Sequence, residues 1–165
     1  MTNYICINGK KAELTEEQMK ALGIELPKAN PFERVCCNDK FYRIGYDNGV
    51  YAEYERYSEL HNAVFNVANY CTDRAIMEQR ALHETLSRLL WRYSMEHDGD
   101  KIDRNDPNGV QWYILFDNLS KEFWVKHTYC CVEMGCVYFH SEDIAEKAIT
   151  EIVEPFMKVH PEFKW

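Results

Sequence analysis

No C-x-x-C pair, no glycine-rich phosphate loop and no G-x-S-x-G nucleophile elbow occurs in these 165 residues. Those absences remove the commonest zinc, nucleotide-binding and serine-hydrolase signatures. The segment Met1-Thr2-Asn3-Tyr4 shows no basic stretch leading into an apolar one, so no secretory signal is expected. No apolar run approaches the roughly 20 residues that span a bilayer, and a membrane is not an expected partner. Basic residues are in deficit too: 19 Lys and Arg stand against 27 Asp and Glu, for a net charge of −8. An acidic surface repels phosphate backbones, which makes nucleic acid an unfavoured partner. The seven cysteines are odd in number and include the vicinal pairs Cys36-Cys37 and Cys130-Cys131. They fit reduced thiols and a cytoplasmic location better than a disulfide framework.

What is present is core material. Hydrophobic residues make up 46% of the chain and aromatics 14%, which argues against disorder. The aromatics fall largely in strand-like runs, where pleated surfaces suit them. The length fits one domain, or two small half-domains sharing a core.

The stretch from Asn69 to Gln79 recurs 68 residues later as Val137 to Lys147. Tyr70 aligns with Tyr138, Asp73 with Ser141, Ile76 with Ile144 and Glu78 with Glu146. Each copy reads as a strand end passing through an N-cap into an amphipathic helix. The first such helix is expected from about Arg74 to Tyr93, with Leu82, Leu86, Leu89, Leu90 and Tyr93 as one buried stripe. Arg80, Glu84 and Arg88 form an ion-pair ladder on another face. The second is expected from Glu142 to about Val153, ending near Pro155.

Before the repeat, Asn8-Gly9 between Tyr4–Ile7 and Lys10–Leu14 predicts a hairpin, and Thr15-Glu16-Glu17-Gln18 is a capping box. Strands are expected at Phe32–Val35, Phe41–Tyr46, Val50–Tyr54 and between Ala63 and Cys71. The second half offers Gln111–Phe116, Glu122–Lys126 and a third strand from Tyr129 to Phe139, interrupted near Gly135. Trp112-Tyr113 lies 71 residues after Phe41-Tyr42, extending the repeat to the first strand. The expected fold class is α+β: duplicated β-hairpin, strand, helix units on antiparallel sheet, preceded by an N-terminal ββα element. The expected organisation is 1–30 for that element, 31–95 for the first repeat, 96–109 for an acidic hinge and 110–165 for the second repeat.

The hinge supplies Asp98, Asp100, Asp103 and Asp106, but neither calcium register works. Counting from Asp98 puts Ile102 at position 5, and counting from Asp103 puts Ile114 at position 12. Cys130, Cys131 and Cys136 with His127 or His140 could in principle hold zinc, without C-x-x-C spacing to support it. No local signature selects a Cys–His nucleophile. Neither a metal nor a cofactor is expected, and no catalytic residue is assigned.

Several stretches together carry a resemblance. They are Ile7-Asn8-Gly9-Lys10 with Leu14 to Gln18, Asn30 to Val35, Phe41 to Ile44, Trp112 to Ile114, Val137 to Phe139 and Ala145 to Ile149. In this order they resemble a group of small proteins carried by phages and prophages of Firmicutes. The resemblance implies a mobile-element origin and transfers no catalytic residue. Small acidic phage proteins without enzyme motifs often resemble stoichiometric inhibitors of host defence, CRISPR nucleases included. The expected function is therefore a non-enzymatic protein-binding module, inhibiting a host nuclease or defence complex, with a host or phage protein as partner. Its expected contact residues are Glu96, Asp98, Asp100, Asp103 and Asp106 with Trp112 and Trp124. The alternative is a single-stranded nucleic-acid binder that stacks bases on Tyr42, Trp112 and Trp124. A third is metal-dependent hydrolysis at the acidic loop.

Overall fold

The computed structural model describes residues 4–7, 10–22, 30–98, 109–129, 133 and 135–165, and the fold is α+β. The chain divides into two units, Met1–Glu33 and Arg34–Trp165. In the first, β1 (Tyr4–Ile7) pairs antiparallel with β2 (Lys10–Glu13), and α1 follows at Glu16–Ala21. Both bonds of the capping box are made: Thr15 Oγ1 accepts the Gln18 N–H at 3.3 Å, and Gln18 Oε1 accepts the Thr15 N–H at 2.9 Å. The strand expected at Phe32–Val35 does not form. Asn30 turns the chain instead, its side chain accepting the Phe32 N–H at 3.1 Å and its carbonyl the Glu33 N–H at 3.1 Å.

The second unit is organised along α3 (Arg74–Asp98). At 25 residues this helix is about 37 Å long, enough to serve two hairpins in succession. Its first turns pack Met77 and Ala81 against the hairpin of β3 (Lys40–Ile44) and β4 (Val50–Tyr54), through Tyr42, Ile44 and Val50. Its later turns bury Leu86, Leu90 and Tyr93 against the hairpin of β5 (Val110–Asp117) and β6 (Glu122–Tyr129) and against the C-terminal helices. The leucine stripe is as the spacing predicts, with Leu82 and Leu89 at its margin. The helix runs on to Asp98, however, so Glu96 and Asp98 stand on it rather than in a hinge.

Three further corrections concern length and type. The strand expected between Ala63 and Cys71 is instead α2 (Glu59–Asn66), because Ser58 Oγ caps it by accepting the His61 N–H at 3.2 Å. Its face buries Val64 with Phe41 and Tyr70. Of the third strand expected from Tyr129 to Phe139, residues 130–132 and 134 lie outside the described residues; Tyr129 instead ends β6, and Phe139 makes a single bridge with Trp112. The last helix does not end at Pro155. After α4 (Glu142–Ala148) it opens into a π turn at Ile149–Val153 and continues as α5 (Glu154–Val159). The Glu154 N–H reaches back five residues to the Ile149 carbonyl. This widened turn carries the helix past the proline, which has no N–H to bond four residues back.

Candidate functional site

The two hairpins meet the chain that returns to them in the same way. Tyr42 exchanges both backbone bonds with Cys71, at 2.7 and 3.0 Å, and Trp112 does so with Phe139, at 2.9 and 2.8 Å. These bridges equate Trp112 with Tyr42, an offset of 70 residues and not the expected 71. The difference matters, since a shift of one residue exchanges the faces of a strand. Before each bridge lies a buried tyrosine whose hydroxyl accepts a backbone N–H: Tyr70 from Val35 at 3.2 Å, Tyr138 from Glu133 at 2.7 Å. After each comes a capped helix, by Asp73 Oδ1 to the Ala75 N–H at 2.8 Å and by Ser141 Oγ to the Ile144 N–H at 3.4 Å.

Around β3–β4 the polar chemistry is closed on itself. Glu55 is fully buried, and Arg34 binds it bidentately at 3.0 and 3.1 Å. The Tyr70 hydroxyl donates to it at 3.1 Å and the Tyr57 N–H at 2.6 Å. The Arg34 guanidinium, more than any other neighbour, holds the Glu55 carboxyl down at about 2 against the cost of burial. His61 joins the network through both ring nitrogens: Nδ1 lies 3.0 Å from the Arg56 backbone nitrogen and 3.2 Å from Glu55 Oε1, and Nε2 faces Glu53 at 3.2 Å. Arg43 completes the chain by pairing with Glu53 at 2.5 Å. Every member has a partner inside the network, and Glu55 is sealed from solvent. The arrangement ties the segments at residues 34 and 55–58 to α2 and Tyr70.

Around β5–β6 the chemistry is open. The face carrying Gln111, Tyr113 and Leu115, opposite Thr128, Lys126 and Trp124, has no counterpart of α2 among the described residues. Fifteen residues join Tyr54 to Tyr70, and only eight join Tyr129 to Tyr138. Trp124 is 48% exposed and its cross-strand neighbour Leu115 37%. Gln111, which stands where Phe41 stands in the first hairpin, is buried with its Oε1 unpartnered. A cavity of about 320 Å³ lies between α3, β5, the 135–137 segment and the C-terminus. Its walls are Leu86, Leu90, Ile114, Val137, Phe139 and Phe163, with Ser87, His83 and Cys136 also lining it. Burial pushes the Cys136 thiol above its ordinary pKa, which makes it a poor nucleophile.

Of the expected contact residues, Trp112 and Trp124 do not share a surface. Glu96 is exposed on α3, 3.9 Å from Arg92, and Asp98 is the last residue of that helix. Asp100, Asp103 and Asp106 lie outside the described residues. Trp112 packs inward against the core and tilts over His127 at 4.9 Å, while Trp124 stands on the opposite face of the hairpin. Tyr42 is likewise turned inward, against the Met77 cluster. Arg74, Arg80, Arg88 and Arg92 on α3 each pair with a glutamate of the same helix, which leaves no unmatched basic stripe there. Among the described residues, no group of three or more His, Cys, Asp or Glu side chains could hold a metal ion. No described helix is long and apolar enough to cross a membrane. No protein-family model, curated protein or solved structure matches the chain.

Proposed function

We propose that this chain is a non-enzymatic protein-binding module whose contact surface is the exposed Leu115–Trp124 end of the β5–β6 hairpin. One observation carries the reading. On the equivalent face of β3–β4 Val64 of α2 buries Phe41 and leaves Tyr51 exposed, whereas here Trp124 and Leu115 stand exposed side by side around a shallow concavity that Lys126 also lines. An exposed tryptophan is the residue type most enriched at the energetic centres of interfaces. The partner this face fits is an amphipathic helix, as α2 is to the first hairpin. The resemblance to prophage proteins and the net charge of −8 support a basic host protein, a nuclease or defence complex, as the source of that helix.

The test is affinity capture from a Firmicute lysate after nuclease treatment, run in parallel with wild type, Trp124→Ala and Leu115→Glu. The expected result is one stoichiometric protein whose retention falls about tenfold or more in both variants, at unchanged Tm. Equal retention by all three chains removes this face from the reading. Retention of nuclease-sensitive material alone favours the single-strand binder, for which Trp124 is the one aromatic of the expected three left outward.

A further inference from the structure

The two bridges differ in what happens one step further along the strand. In an antiparallel strand the backbone groups of alternate residues point to the same side. Tyr42 and Ile44 therefore both point away from β4. Cys71 takes the backbone groups of Tyr42, and the side chain of Asn69 takes those of Ile44. Its Oδ1 accepts the Ile44 N–H at 2.8 Å, and its Nδ2 donates to the Ile44 carbonyl at 2.8 Å. A primary carboxamide stands in for a strand residue.

In the second hairpin Phe139 takes the backbone groups of Trp112, and Ile114 points the same way. Asn69 lies two residues before its bridge, and the residue two before Phe139 is Val137, which has no polar group to offer. Among the described residues, nothing bonds the N–H or the carbonyl of Ile114. On that side lies the cavity of about 320 Å³, bounded by Ile114 on one wall and Val137 on another. An apolar cavity of ~150 Å³ already takes benzene, so this one has room for a ring and a polar substituent. Apolar walls with a few fixed polar groups are the usual make-up of a small-ligand site.

We propose that this cavity is a binding slot for a primary carboxamide carried on a flat apolar group, held by the Ile114 backbone as Asn69 is held by Ile44. The pairing needs one donor and one acceptor side by side. A carboxylate lacks the donor, and so does a ketone; either leaves the Ile114 carbonyl unpaired. The proposal rests on the Ile114 backbone and not on Trp124, although Leu115 borders both the cavity and the protein-binding face.

The test uses the full-length ¹⁵N-labelled chain titrated separately with benzamide, benzoate and acetophenone. Benzamide is expected to shift the Ile114 amide proton downfield and to bind about tenfold more tightly than the other two. Val137→Asn places the carboxamide where the first hairpin has it, and is expected to abolish benzamide binding and raise Tm. Val137→Thr, close in shape and without the amide, is expected to keep the preference. A blocked tripeptide with a central asparagine, compared with its aspartate counterpart, distinguishes the source. Asparagine peptide binding tighter than benzamide assigns the amide to a partner protein, and the reverse assigns it to a free small molecule. Equal affinity for the three aromatic compounds, or an unmoved Ile114 amide, overturns the proposal even if Val137→Asn fails to fold.

Discussion

The hairpin β3–β4 and the hairpin β5–β6 rest on one helix and meet their returning strands through the same pair of bonds, yet they are finished differently. The first is the more closed: α2 covers Phe41 on its outer face, Asn69 caps its free edge and Glu55 ties its loops together. The second has Trp124 exposed and, among the described residues, the Ile114 backbone unbonded and Gln111 buried with an unpartnered oxygen. Closure serves stability and openness serves recognition, because groups satisfied within the chain have nothing left for a partner. The comparison breaks if the two hairpins respond alike when their distinguishing residues are exchanged.

The largest effect is expected at Glu55. Glu55→Ala leaves Arg34 without its partner and removes the acceptor for Tyr70 and for the Tyr57 N–H, at a cost of about 3 kcal/mol or more. Urea denaturation monitored by amide exchange should show the first hairpin opening well before the second. The same carboxyl gives a pH signature. Its folded pKa of about 2 lies below the ordinary 4.5, so its stabilisation is complete above pH 4.5 and is lost as pH falls toward 2. Wild type should lose stability through that window, and Glu55→Gln should lose less. Parallel pH profiles would mean that Glu55 is not the group being protonated.

Next comes Asn69→Val, which gives the first hairpin the residue of the second. It leaves the Ile44 N–H and carbonyl unpaired, for about 2 kcal/mol. Chemical denaturation measures it. A loss below about 0.5 kcal/mol would show that water replaces the carboxamide without penalty, and that the edge at Ile114 is nothing unusual.

A smaller change of opposite sign is expected at Gln111. Gln111→Leu removes a buried acceptor that has no partner, and should raise stability by about 1 kcal/mol, read as a higher urea midpoint at constant slope. Destabilisation would mean that the amide nitrogen holds the hairpin in a way the closed first half does not need.

The shared frame of the two hairpins was legible because it rests on local signals: buried tyrosines at 70 and 138, cap residues at 73 and 141, and leucines at helical spacing. What distinguishes them was not. Glu55 is an acidic residue beside a turn, and its partners Arg34, Tyr70 and His61 lie 21, 15 and 6 residues away. Nothing local marks such a carboxylate as buried. The helix α2 had a readable signal in Ser58-Glu59, a cap followed by an acidic first turn, but Ala63, Val64, Phe65 and Val67 look strand-like by composition. The cap and the burial of Val64 prevailed. Pro155 misled in the other direction, since a π turn is a tertiary accommodation with no local mark. Residue type does not reveal the face of a strand, so Trp112 and Trp124 look alike in the sequence, and the hairpin register puts them on opposite sides.

The smallest expected effect tests the helix that both hairpins share. Glu84 pairs with Arg80 and Arg88, each at 3.0 Å, on a face of α3 open to water. Such pairs contribute tenths of a kcal/mol each, so Glu84→Gln should cost about 0.5 kcal/mol, less at high salt. Neither arginine is stranded by the change: Arg80 also donates to the Ala68 carbonyl and Arg88 to Asn48. Because α3 packs against both hairpins, this loss should appear equally in the exchange protection of Ile44 and Leu90, unlike the losses at Glu55 and Asn69. Unequal loss would mean that α3 frays at one end before the other, and that the openness of the second hairpin extends into the helix beneath it.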